Sequence, residues 1–211
     1  MNLPNKITTS RFFITFAFVV VLLFDWQWAT TTACLLFLIG GLSDIVDGEI
    51  ARRRNLKTDF GVLMDPLADK IMVCAGFIVL VGMSAQTHPY ISSPPSIPHI
   101  PRWLEVPGQD FLMPAWMVII IVARELAITG LRLLAANKNF VLPAEAIGKR
   151  KTNLQVVAVI SVLVCVSYPH WGEWGPGFFG AKVSGAPWSA WFTMFVTWGA
   201  VLLTGISGAH Y

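Results

Sequence analysis

Long apolar stretches separated by short polar ones dominate this chain, and their lengths set the first expectation. A helix that crosses a bilayer needs about 20 mainly apolar residues. Six stretches meet that need: Ile7 to Phe24, Trp28 to Ala51, Asp59 to Ala85, Leu112 to Ala136, Thr152 to Tyr168 and Trp188 to Ser207. Their connections differ in kind. The first two are joined by barely a turn, around Asp25. Residues 86–111 hold Pro89, Pro94, Pro95, Pro98, Pro101 and Pro107 and are expected to lack regular helix. Residues 169–187 are rich in Gly, Pro and Trp, with Trp171 and Trp174, and read as a loop hugging the membrane interface, where Trp is favoured.

Composition agrees with this pattern. Of the 211 residues, 55% are hydrophobic and only 13% charged, and the mean hydropathy is +0.63. A soluble domain carries about 25% charged residues. The expected fold is therefore an all-α integral membrane protein with six transmembrane helices, built as one domain over residues 1–211 without a sizeable soluble partner. The net charge of +3 is too small to indicate nucleic-acid binding. Cys34, Cys74 and Cys165 lie in apolar stretches without CxxC spacing and read as small packing residues. The polar run Asn2 to Ser10, with no small-residue cleavage site after the first apolar stretch, does not resemble a cleaved signal.

The placement of charge sets orientation. Lys6 and Arg11 flank the first span, Arg52, Arg53, Arg54 and Lys57 lie between spans two and three, and Lys138, Lys149, Arg150 and Lys151 lie between spans four and five. The opposite side has only Arg102 and Lys182 in its loops. The positive-inside rule then puts both termini in the cytoplasm.

Four acidic residues fall inside predicted spans, where charge costs about 2.5–3.5 kcal/mol per residue at the bilayer centre. Asp44 and Asp47 lie late in span two, and Asp65 and Asp69 early in span three, all near the cytoplasmic end. The spacings i, i+3 and i, i+4 put each pair on one helix face. A short basic hairpin joins the two helices, so the four carboxylates are expected to converge. Such a cluster repels itself unless a cation sits among it. All-oxygen ligands favour Mg²⁺, Mn²⁺ or Ca²⁺ over zinc, and no His or Cys lies at a matching spacing. Gly48, Ala51 and Gly61 are small residues near these carboxylates, suited to close helix packing or to a ligand near the backbone.

Asp44-Ile-Val-Asp47-Gly48-Glu-Ile-Ala51-Arg52, eight residues, then Gly61-Val-Leu-Met-Asp65-Pro-Leu-Ala-Asp69 resembles the signature of the CDP-alcohol phosphatidyltransferases, with every fixed position at its spacing. The resemblance implies that family's six-span fold, usually as a homodimer, in the cytoplasmic (inner) membrane with a cavity facing the cytoplasm. It also implies two divalent ions, Mg²⁺ or Mn²⁺, held by the aspartates. Carried over residue by residue, Asp44, Asp47 and Asp65 would ligate metal. Asp69 would ligate metal and accept the proton of the acceptor hydroxyl. Gly48, Ala51, Arg52 and Gly61, with Asn5 and Thr8 of the N-terminal segment, would bind the CDP-lipid. The implied reaction is attack by an alcohol on the phosphorus attached to diacylglycerol in CDP-diacylglycerol, with CMP leaving.

Flanking segments bear on the alcohol. Asn2 to Arg11, Ala123-Arg124-Glu125 through Gly130-Leu-Arg132, and Gly148-Lys149-Arg-Lys151-Thr152 are similar to segments of members that use glycerol 3-phosphate. A phosphorylated acceptor needs cations, and Arg124, Arg132, Lys149 and Lys151 are the candidates. Arg124 could instead pair with Glu125 or a metal ligand. Arg53, Arg54 and Arg150 read as solvated interfacial anchors, and Glu49 and Asp59 as solvated or ion-paired interfacial charge. His88, His99, His170 and His210 show no ligand spacing. Phosphatidylglycerol, inositol phosphate or serine as acceptor is the rival within the family. A cation transporter using the aspartates is the rival from another class, though such sites usually lie near the midplane on broken helices.

Overall fold

The computed structural model describes residues 3–24, 26–54, 59–87, 113–137, 146–183 and 186–209; among these, the side chains at 3–8, 44–54, 59–66, 69, 83–87, 133, 136–137, 146–150, 186 and 209 fall outside the description. Six long helices make up most of what is described: α1 (Leu3–Leu23), α2 (Ala29–Arg54), α3 (Asp59–Thr87), α4 (Ala115–Asn137), α5 (Ala146–Ser167) and α7 (Trp188–Ala209). Each corresponds to one of the six apolar stretches. Among the described residues, two stretches, Lys151–His170 and Trp188–Gly208, are long and apolar enough by themselves to cross a membrane. In α1, α2 and α3 the apolar parts that fall among the described side chains are Thr9–Leu23, Ala29–Ser43 and Lys70–Gly82. The remaining turns of α2 and α3 carry the signature.

Several boundaries differ from the sequence-based expectation, and three of the helix starts do so for a local reason. α1 starts at Leu3 rather than Ile7, because Pro4 is tolerated in a first turn, where an N–H has no helical partner. α5 starts at Ala146 rather than Thr152. Lys and Arg are good helix formers, so the helix continues past the end of the apolar stretch. α4 starts at Ala115 rather than Leu112, after Pro114, whose carbonyl accepts the Met117 N–H at 3.0 Å. Beyond Thr87, the proline-rich segment expected over residues 86–111 lies outside the described residues.

The segment read as a plain loop over residues 169–187 has structure of its own. It contains a 3-10 turn (Tyr168–His170), a short helix α6 (Trp174–Phe179) and a two-residue hairpin of β1 (Lys182–Val183) and β2 (Ala186–Pro187). Gly172 supplies the left-handed backbone (φ +71°) that turns the chain between Trp171 and Trp174. Those two indoles then stack, with ring centroids 5.3 Å apart. The Trp171 indole N–H donates to Thr31 Oγ1 at 2.8 Å, tying this cap to the start of α2. Aromatic packing thus orders a short segment that hydropathy marks only as non-spanning.

α1 packs on α2 and α3, α5 on α2, α3 and α7, and α4 on α3 and α7. Phe18, Phe37, Phe77, Met117, Ile121, Val159 and Leu163 are fully buried between them. Large apolar side chains also point outward, including Phe13, Phe16, Ile39, Ile78, Ile119, Phe195 and Leu202. A helix bundle apolar both inside and out is suited to lipid rather than water. Small residues allow the helices to approach closely. A Cβ added at Gly76 would lie 3.0 Å from Val159 and 3.1 Å from Phe37. On α7, Ser189, Thr193, Thr197, Ala200, Thr204 and Ser207 form a buried stripe of small residues at helical spacing.

Candidate active site

Helix packing sets the levels of the signature. α2 and α3 run antiparallel: Phe37 meets Gly76, and Gly40 meets Met72. Continued along both helices, that register brings position 44 to the level of 68–69 and position 47 to that of 65–66. The two aspartate pairs therefore lie at matching levels along α2 and α3. α1 runs antiparallel to α2 in the same way, with Ile14 against Gly40 and the Phe18 and Phe37 rings 5.5 Å apart. This places Thr8 at the level of 46–47, Asn5 at that of 49–50 and Arg11 at that of 43–44. The side chains of Asn5, Thr8, Asp44, Asp47, Gly48, Ala51, Arg52, Gly61, Asp65, Asp69 and Lys149 lie outside the description, although the helices carrying them are described.

Arg11 departs from its reading as a residue flanking the first span. It lies in the third turn of α1 and is 1% exposed. Its burial follows from α1 packing against both α2 and α3 at the signature's level.

A second group of polar side chains is described in full, between α3, α4, α5 and α7. At its centre is Glu125 of α4, 5% exposed. Its Oε1 accepts from the ammonium of Lys151 on α5, which is itself 1% exposed. Oε1 also accepts from Gln155 Nε2 at 3.4 Å and Arg124 Nη1 at 3.4 Å. Gln155 donates again to Thr204 Oγ1 of α7 at 3.0 Å. Arg124 Nη2 donates to Ser207 Oγ at 2.5 Å. Gly208 gives room for the arginine stem, since a Cβ there would lie 3.3 Å from Arg124 Cγ.

This group adjoins the signature. Lys70, the residue after Asp69, donates to the hydroxyl of Thr129 on α4. That hydroxyl donates in turn to the Glu125 carbonyl at 2.6 Å. The end of α3 that carries Asp69 thus lies against the charged turn of α4. Of the candidate acceptor cations, Arg124 and Lys151 are brought together. Arg132 is half-buried two turns further along α4, outside the Glu125 contacts. Arg124 does pair with Glu125, as the alternative reading held, and it shares that carboxylate with Lys151.

Sequence reasoning passed over Glu125, Gln155, Thr204 and Ser207 as site components. The signal was present as polar residues at helical spacing in otherwise apolar spans. In a bilayer interior such groups need internal partners.

Residues 1–206 match the model of the CDP-alcohol phosphatidyltransferase family. The chain belongs to this family. A protein from Bacillus subtilis named CDP-diacylglycerol–glycerol-3-phosphate 3-phosphatidyltransferase is 33% identical over 100% of this chain and 93% of its own length. Proteins of the same name from Wigglesworthia glossinidia brevipalpis and Rickettsia typhi are similar as well. The first is 30% identical over 77% of both chains. The second is 28% identical over 100% of this chain and 94% of its own. This phosphatidyltransferase is thus a mostly helical membrane enzyme, and its match to the family runs through the signature and the Glu125 group alike.

Proposed function

We propose that this phosphatidyltransferase moves the phosphatidyl group of CDP-diacylglycerol to sn-glycerol 3-phosphate, forming phosphatidylglycerophosphate and CMP. The observation that carries the acceptor is the pair of cations, Arg124 and Lys151, gathered at Glu125 beside the end of α3 that bears Asp69. A phosphate monoester needs such donors, whereas an uncharged alcohol does not. The relatives named for this reaction point the same way.

In this reading Asp44, Asp47, Asp65 and Asp69 hold two divalent ions, Mg²⁺ or Mn²⁺. The matching levels of the two aspartate pairs and their all-oxygen chemistry fit such ions. When bound, the ions would neutralise the pyrophosphate and the charge growing on the leaving CMP. Asn5, Thr8, Gly48, Ala51, Arg52 and Gly61 bind the CDP-lipid. Arg124, Lys151, Arg132 and Lys149 hold the acceptor phosphate. Asp69 takes the proton of the attacking hydroxyl as its oxygen bonds to the phosphorus attached to diacylglycerol. The bond from that phosphorus to the CMP oxygen breaks, and CMP leaves with the electron pair.

The same reading gives six membrane spans with both termini in the cytoplasm and the site at the cytoplasmic face of the inner membrane. The diacyl tails then stay in lipid while nucleotide and acceptor stay wet. The enzyme works as a homodimer, as the family resemblance implies.

An acceptor panel tests the substrate assignment. Purified enzyme in detergent receives CDP-diacylglycerol and metal, with glycerol 3-phosphate, phosphatidylglycerol, serine or inositol phosphate in turn, and the lipid product is identified by mass. Phosphatidylglycerophosphate should form with glycerol 3-phosphate, at least about tenfold faster than product forms with any other acceptor, a difference of about 1.4 kcal/mol. Faster product formation with another acceptor would overturn the assignment.

A further inference from the structure

We propose that Glu125 is a positioning residue for the acceptor, a clamp that fixes Arg124 of α4 and Lys151 of α5 so that both cations meet one anionic group. The proposal rests on the reading of Arg124 and Lys151 as cations for the acceptor phosphate.

The contacts are those of a clamp rather than of a single neutralising pair. Lys151, Gln155 and Arg124 all direct their donors at one oxygen, Oε1. Gln155 is held from behind by Thr204, and Arg124 by Ser207, so α7 braces both arms. Thr204 Oγ1 is itself satisfied by donating to the Ala200 carbonyl at 2.6 Å. The backbone beneath Glu125 is fixed too, because its carbonyl accepts from Thr129 and Thr129 accepts from Lys70. Glu125 is therefore held directly from α4 and α5, and through its partners from α3 and α7.

Lys151 shows what the clamp leaves over. An ammonium has three N–H donors. Among the described residues, Glu125 Oε1 is the one acceptor that Lys151 Nζ reaches. The two remaining donors sit on a side chain 1% exposed, with Arg124 and Lys70 as its charged neighbours. A phosphate monoester offers several acceptor oxygens and negative charge to such a group. The carboxylate keeps the two cations close together despite their repulsion, and Lys151 has donors left to give.

Removing the carboxylate should cost acceptor affinity in particular. Steady-state kinetics of purified wild-type enzyme, Glu125→Gln and Glu125→Asp would be measured with glycerol 3-phosphate and CDP-diacylglycerol varied separately. Inorganic phosphate would serve as a competitive probe, and thermal unfolding would be followed in parallel. Glu125→Gln should raise the KM for glycerol 3-phosphate at least tenfold and weaken inhibition by phosphate in step. The KM for CDP-diacylglycerol should stay within twofold. Glu125→Asp keeps the charge on a shorter stem and should recover most but not all of the loss, ending about two- to fivefold above wild type in the KM for glycerol 3-phosphate.

Equal rises in both KM values, or wild-type constants for Glu125→Gln, would overturn the proposal. So would a lower unfolding temperature with unchanged constants per folded enzyme. If Glu125→Gln does not fold, Glu125→Asp decides: a selective rise in the acceptor KM supports the clamp, and unchanged constants overturn it. Arg124→Ala separates the two readings. An acceptor KM unmoved by Arg124→Ala removes the acceptor assignment itself, whereas one moved by Arg124→Ala but not by the Glu125 variants removes only the clamp.

Discussion

Asp69→Asn is expected to lower turnover by about 10²–10⁴-fold, the range that a positioned general base contributes, while leaving metal-dependent CDP-diacylglycerol binding within a few fold. Asn keeps the shape of Asp and loses the basic oxygen, so proton removal from the acceptor hydroxyl suffers more than ligand binding. Position 69 suits the assignment among the four aspartates. It lies level with 44 on α2, next to Lys70, which reaches Thr129 and through it the turn of α4 that holds Arg124. The α3 turn that bears Asp69 therefore lies level with position 44 and beside the turn of α4 that holds Arg124. CMP release and equilibrium binding of the CDP-lipid, measured on one preparation, check the claim. Turnover at the wild-type rate would remove Asp69 as the base. A binding loss as large as the rate loss would leave it as a metal ligand alone.

Arg124→Ala should raise the KM for glycerol 3-phosphate about 10- to 100-fold, with the KM for CDP-diacylglycerol nearly unchanged. A hydrogen bond to a charged group contributes about 1.5–3 kcal/mol, and about 1.4 kcal/mol corresponds to a factor of ten. The Arg124 side chain is only 12% exposed and its guanidinium is already oriented by Ser207 and Glu125, so little ordering remains to be done when the phosphate arrives. Arg124→Lys should restore only part of the affinity, because an ammonium cannot reproduce the planar fork that spans Ser207, Glu125 and an incoming phosphate. Separate titration of the two substrates reads the effect. A rise confined to CDP-diacylglycerol would move Arg124 to the nucleotide side of the site.

The architecture was legible in the sequence because a bilayer imposes one dominant rule, a length of apolar helix. All six long helices coincide with apolar stretches, and their ends shifted where helix outlasts hydrophobicity, as at Lys149 to Lys151 and before Ile7. The aspartates stood out for a similar reason, since charge inside a predicted span contrasts with its surroundings, and their side chains lie outside the description. Partners that belong to different helices were not legible. Nothing in the spacing of Glu125, Lys151, Gln155, Thr204 and Ser207 says that they meet, because their meeting depends on how α4, α5 and α7 pack. Arg11 was misread for a related reason. A cation near the start of a span looks like a topological anchor until packing by two further helices buries it. The aromatic cap over Tyr168 to Trp188 likewise rests on ring contacts such as Trp171 on Trp174 and Phe179 on Trp188, which hydropathy does not register.

If Asp44, Asp47, Asp65 and Asp69 hold divalent metal for transfer to glycerol 3-phosphate, turnover needs both the metal and that acceptor. The most direct measurement is CMP release from CDP-diacylglycerol by purified enzyme stripped with chelator, then resupplied with Mg²⁺ or Mn²⁺, with glycerol 3-phosphate present or omitted. Release is expected only when metal and glycerol 3-phosphate are both present. Full release in chelator, or metal-dependent release that ignores glycerol 3-phosphate, would contradict it.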